Sequence, residues 1–142
     1  MRSSMPGMSV SPVPPRADPG RAPGWIVRPL RSAAVLHLFG VLAQAVLAGL
    51  FVTGDVDMLA WHRTNAGFTH VTLYLQLLAS ILLWRPARGP AWPALAAAGL
   101  VAAETLQVVA GQERVLAVHF PLGMAVFGAT TILTVLVWRV TR

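Results

Sequence analysis

The sequence contains no cysteine and no lysine, and only 5 of its 142 residues are acidic. Without a thiol there is no disulfide, no zinc–thiolate site and no cysteine nucleophile. Charged residues make up 11% of the chain, against about 25% in a soluble domain. That scarcity excludes an ordinary water-facing surface. The apolar segments also lack the strict alternation of a barrel wall and are rich in Ala and Leu, which excludes membrane strands. All 11 basic residues are Arg; with so much Ala, this reads as genomic base composition and carries no function.

What the chain does have is four long uncharged stretches. They cover Ser32–Gly54, Thr64–Trp84, Gly89–Ala103 with a continuation past Glu104 to Gln112, and Val115–Trp138. Hydrocarbon about 30 Å thick needs roughly 20 helical residues at 1.5 Å each. The expected fold is therefore all-α, an integral membrane four-helix bundle with helices at about 33–53, 64–84, 92–111 and 116–138. Short connections place successive helices side by side, giving an antiparallel up-down arrangement in which the second and fourth helices are diagonal. The membrane domain spans 32–139. Residues 1–31 hold seven prolines, among them Pro23 and Pro29, and too few apolar side chains for a core, so they are expected to form a disordered tail. No short apolar stretch precedes a small-residue cleavage site there, which argues against a secretory signal.

The formal charge of +6 is distributed as a membrane topology, not as a nucleic-acid surface. Arg2, Arg16, Arg21, Arg28 and Arg31 precede the first span, Arg85 and Arg88 lie in the second connection, and Arg139 and Arg142 end the chain. The first and third connections carry only Arg63 and Arg114, offset by Asp55, Asp57 and Glu113. Basic residues gather on the cytoplasmic side. The expectation is a multi-pass protein of the cell membrane with both termini cytoplasmic, its basic excess facing anionic lipid and no nucleic acid.

Polar side chains inside lipid are expensive, face the bundle interior and often mark a site. On the second span His62, Asn65, Thr69, Thr72, Gln76 and Ser80 share one stripe at 100° per residue; on the fourth, His119, Gly123, Val126, Thr130 and Thr134 do. His37, Gly40, Gln44 and Ala48 align on the first span, and Ala97, Glu104, Gln107 and Gly111 on the third. For the Ser, Thr and Gly members, interhelical bonding and close packing are the simpler reading. A weak repeat runs through the pattern: Gln44, Gly49, a polar connection, His62, Gly67, then Gln107, Gly111, a polar turn, His119, Gly123.

His62 and His119 stand at the outer ends of diagonal helices, at similar depth. Diagonal axes are roughly 12–14 Å apart where neighbours are about 8–10 Å apart, which suits two imidazoles reaching inward to one metal. Haem iron accepts such axial ligands, and Arg63 and Arg114 lie close enough in sequence to meet its propionates. The alternative is two interfacial histidines bonded to loop carbonyls. His70 is a competing ligand about 12 Å deeper, and His37 with His70 offers a second, weaker pair. Glu104 must be protonated or paired: it either handles protons beside a redox centre or bonds Gln76 or His37.

Leu42–Arg63 (LAQAVLAGLFVTGDVDMLAWHR) resembles the first helix, outer loop and start of the second helix of haem A synthases, with a Gln, a Thr-Gly turn and a His-Arg pair. Glu104–Ala125 (ETLQVVAGQERVLAVHFPLGMA) is similar to the matching helical pair, with Gln107, Gly111 and His119. The resemblance covers about 100 residues on few, degenerate positions, and small four-helix bacterial membrane proteins with the same Gln/His layout match equally well. It implies a four-helix unit with haem b between His62 and His119. The departures are informative. Haem A synthases have two such units, their catalytic half carries a Glu where Leu59 stands here, and many have an outer-loop cysteine pair. These differences argue against haem hydroxylation and leave a b-type cytochrome-like protein.

The leading expectation is thus a small haem-binding membrane protein, suited to electron transfer, with His62 and His119 as metal ligands. Arg63 and Arg114 would hold propionates, and Gln44, Gln76, Glu104 and Gln107 would line the pocket. Partners would be the lipid bilayer, a quinone or other redox partner, and a second copy or larger complex. The alternatives are a non-catalytic subunit or scaffold of a larger complex, and a small proton-coupled transporter using Glu104.

Overall fold

In a computed structural model the described residues, 22–142, form four helices: α1 (Gly24–Val52), α2 (Met58–Trp84), α3 (Trp92–Gln112) and α4 (Leu116–Val140). Each is long and apolar enough to cross a membrane. Their outer surfaces expose large apolar side chains such as Phe39, Leu95, Met124 and Ile132, all above 60% exposed. Contiguous apolar exposure on this scale is untenable in water and natural in lipid. The chain is a multi-pass membrane protein.

α1 packs beside α2 and α4, and α3 also lies between α2 and α4. The second and fourth helices are therefore diagonal. Side-chain bonds cross neighbours in descending register: Gln44 and Gly40 of α1 meet His62 and Asn65 of α2, while Ala34 and Arg31 meet Thr134 and Thr141 of α4. At the last of these, the Arg31 guanidinium donates to the Thr141 hydroxyl at 2.9 Å and carbonyl at 2.8 Å and lies 4.5 Å from the Trp138 ring. It ties the start of α1 to the end of α4.

Two helix starts differ from the sequence expectation. α1 begins at Gly24, not near residue 33, and runs through Pro29. The tail expected over 1–31 thus ends before residue 24; residues 1–21 lie outside the described part. Pro23 stands at the N-cap, its carbonyl accepting from Ile26 and Val27. An interior proline costs about 3 kcal/mol. Ile26, Val27 and Leu30 are buried at 9% exposure or less, and each such side chain leaving water contributes roughly 1.5–3 kcal/mol. Burial outweighs the lost bond. α2 begins at Met58, six residues ahead of the expected 64. Hydropathy marks where lipid-compatible residues begin, whereas a helix needs only its own carbonyls, and Met58, Leu59 and Ala60 are good helix formers. His62 consequently sits on the second turn of a helix, with a fixed orientation.

The connections are tight. Gly54 ends α1 at φ +112°, a left-handed conformation open to glycine. Thr53 covers the last carbonyls, its hydroxyl donating to Gly49 and Leu50. Between α3 and α4, Arg114 takes φ +58° while Val115 N–H reaches the Ala110 carbonyl at 2.8 Å.

Where α1 crosses α2, Gly40 is indispensable. A Cβ there would stand 2.6 Å from Thr69 Cγ2, and Asn65 Nδ2 donates to the Gly40 carbonyl at 2.8 Å. Overpacking typically costs about 1–3 kcal/mol. Gly40→Ala is therefore expected to lower the thermal unfolding midpoint of the detergent-solubilised protein; an unchanged midpoint would mean the two helices are free to move apart.

Candidate functional site

The N-terminal ends of α2 and α4 bring two histidines to one end of the bundle. His62 Nδ1 lies 3.1 Å from the Gln44 carbonyl, and His119 Nδ1 lies 2.8 Å from the Gln107 carbonyl. A carbonyl can only accept, so each Nδ1 carries a proton, and in the neutral form of either ring the lone pair lies on Nε2. Both halves of the chain thus repeat one device, a histidine opening a helix and held by the backbone of the preceding helix's glutamine. Sequence spacing had shown the Gln–His repeat without indicating that the glutamine's main chain makes the bond.

The two ring centroids are 6.3 Å apart and the planes 61° apart, an edge-on arrangement. Metal–imidazole bonds are about 2.0–2.1 Å, so two of them plus two half-rings span roughly 6 Å between centroids. Gly111 makes the position of His119 feasible: a Cβ there would lie 2.8 Å from both Cε1 and Nδ1 of the ring. The corresponding Gly49 has open space around it.

A cavity of about 550 Å³ opens beside these rings, within the usual range of about 300–1,000 Å³ for small-molecule sites. Its polar lining is Gln44, His62, Thr69, His70, Glu104, Gln107 and His119. The rest is apolar, with Phe120 and Phe127 as aromatic walls, and Ala48, Gly49, Ala66 and Gly123 provide room by being small. Small residues that read as helix-packing positions therefore serve two ends: Gly40 admits α2, while the others leave a hollow.

Five of the eight residues expected at the site converge here: Gln44, His62, Glu104, Gln107 and His119. Three do not line the cavity. Arg63 and Arg114 are exposed, the first a step around α2 from His62 and the second in the turn before α4. Gln76 is fully buried deeper in the bundle. Two contributors were underrated from sequence. Asn65 Nδ2 donates to the Gln44 side-chain oxygen at 2.9 Å, fixing that amide; its signal was the i+3 spacing from His62. His70, expected as a competing ligand deeper in the bundle, lines the cavity, its Nδ1 3.1 Å from the Ala66 carbonyl.

Glu104 pairs with His37 Nε2, not with Gln76. Among the described residues no group of three or more His, Cys, Asp or Glu is arranged to hold a bare metal ion. The His62 and His119 imidazoles are two nitrogen donors lining one cavity. No protein-family model matches this chain, nor does any curated protein or solved structure.

Proposed function

We propose that the protein is a small b-type cytochrome-like membrane protein that holds one haem between His62 and His119. The observation that carries this reading is the pair of imidazoles 6.3 Å apart, each with Nδ1 bonded to a backbone carbonyl, so that Nε2 is the nitrogen offered to a metal, with the Gln107 amide displaced from His119 Nε2 on binding. Fixing a ligating histidine through its other nitrogen is the usual outer-shell arrangement of metal sites. When bound, the haem supplies one-electron redox chemistry; the chain supplies position and surroundings. Gln44, oriented by Asn65, and Gln107, whose Nε2 is 3.5 Å from His119 Nε2, place amides beside the ligands. Aromatic and aliphatic side chains make up most of the wall. Arg63 and Arg114 are exposed at the same end of the bundle and available to carboxylates there.

The arginine distribution supports an orientation with both termini cytoplasmic and this cavity toward the outer face. The test is optical. Full-length protein expressed with haem supplementation and purified in detergent is expected to show a Soret band with the reduced spectrum of a six-coordinate b-type haem. His70→Ala should retain that spectrum, because His70 belongs to the wall. A colourless protein would refute the proposal, and a band lost only in His70→Ala would reassign the ligand.

A further inference from the structure

Glu104 is the only acidic residue within any of the four helices. It is buried, lines the cavity, and bonds the fully buried His37 through Oε1. Its second oxygen, Oε2, has no hydrogen bond, and His70 Nδ1 stands 3.6 Å from it. Carboxylate and imidazoles thus meet from three helices in a span built for lipid.

The cluster is incomplete in every protonation state. His37 Nδ1 has no partner, so it is a lone pair without a donor or an N–H without an acceptor. Farther along the interior, both amide atoms of Gln76 and the hydroxyls of Ser80 and Thr130 are likewise buried and unpartnered. All four helices therefore bring an unsatisfied polar atom to the interior. Orphaned groups of this kind are costly and are ordinarily satisfied by internal water. The run ends against aliphatic packing: Ile26, Leu30, Leu83 and Val137 are each 2% exposed or less.

We propose that Glu104, His37 and His70 form a proton-binding site within the membrane span, reached by water from the cavity and closed on the opposite side by this aliphatic floor. One proton from cavity water adds to the carboxylate or an adjoining imidazole; nothing is oxidised or reduced. The groups that govern its occupancy are few. α1 contributes His37 and α2 contributes His70, with His62 on the wall of the same cavity. α4 turns His119, Val126 and Thr130 inward, and of these only His119 titrates, held across the cavity on Gln107. The site binds a proton without conducting it across the bilayer. It requires no cofactor, so it stands apart from the haem proposal.

Dicyclohexylcarbodiimide provides the test, because a protonated carboxyl in an apolar setting adds across its C=N bond. The acid proton moves to nitrogen, and acyl transfer from oxygen to nitrogen leaves a stable N-acylurea with no leaving group. Full-length protein without added haem should acquire one adduct, mapped by mass spectrometry to the peptide carrying Glu104. The rate should fall as pH rises, and the adduct should be lost in Glu104→Gln. His70→Gln, which removes a half-buried side chain and leaves the core intact, should change the labelling rate, because it replaces the ring that stands 3.6 Å from Oε2. In sealed vesicles the wild-type protein should hold an imposed pH gradient. Absence of label at Glu104, or labelling indifferent to pH and to His70→Gln, would overturn the site; a collapsing gradient would overturn its closed floor. Neither readout involves the Soret band.

Discussion

His62→Gly and His119→Gly should each abolish the six-coordinate haem spectrum, and free imidazole added to either variant should restore it. Removing an outer-shell partner of a metal ligand typically costs about 10–100-fold in affinity, so removing the ligand itself should cost more. The two variants should behave alike because the sites are built alike, with each ring suspended from a glutamine carbonyl of the preceding helix. Rescue discriminates between roles. A histidine that merely caps a loop or packs the bundle leaves a hole that imidazole fills without generating a low-spin spectrum, whereas a ligand leaves an open coordination position that imidazole occupies. Equal spectra in wild type and both variants would reduce the histidines to interfacial residues. Loss in only one variant would mean that the other histidine is not a ligand and that a different group takes its axial position, with His70 the remaining histidine of the cavity.

The spans were legible because lipid imposes a length and a composition, and four segments satisfy both. Their beginnings were less so. Gly24–Arg31 and Met58–Arg63 are helical with charged and polar residues in them, because backbone bonding does not stop where hydropathy does. The histidine pair could be found from the Gln–His repeat, since polar groups inside lipid need partners. The partners could not, because they are main-chain carbonyls and every residue has one. Arg63 shows the limit of adjacency: it follows His62 directly, yet successive residues on a helix point about 100° apart, and it faces outward. Gln76 shows the limit of a stripe. It shares the His62 face but lies 14 positions on, roughly 21 Å along the axis, below the hollow. A small-residue stripe is ambiguous in a further way. The same Gly and Ala spacing admits a neighbouring helix at Gly40 and makes room for a ligand at Gly123 and Ala48, and only the positions of the facing helices decide which.

The two glycines that precede the turns offer a comparison in which the same substitution should have opposite effects. Gly111→Ala places a Cβ 2.8 Å from the His119 ring, closer than side-chain atoms settle, and two ring atoms stand in its way. The ring cannot swing far without breaking the 2.8 Å bond from Nδ1 to the Gln107 carbonyl. Either α3 and α4 separate or the imidazole turns away. Without haem, the first response should appear as a loss of about 1–3 kcal/mol in unfolding stability. With haem, the second should weaken retention by on the order of 10–100-fold, the scale on which a misdirected ligand is felt. Gly49→Ala, in the corresponding position of the other half, meets nothing within 4 Å. Alanine also favours the helix over glycine by roughly 1 kcal/mol, so this variant should unfold no earlier than the wild type and, with the His62 and His119 rings undisturbed, retain haem better than Gly111→Ala. Hydrophobicity, helix propensity and proximity to the connections are matched between the two changes. A difference in haem retention would thus report the 2.8 Å approach itself, while equal behaviour would show that the His119 ring is not held where the Gly111 surface leaves room for it.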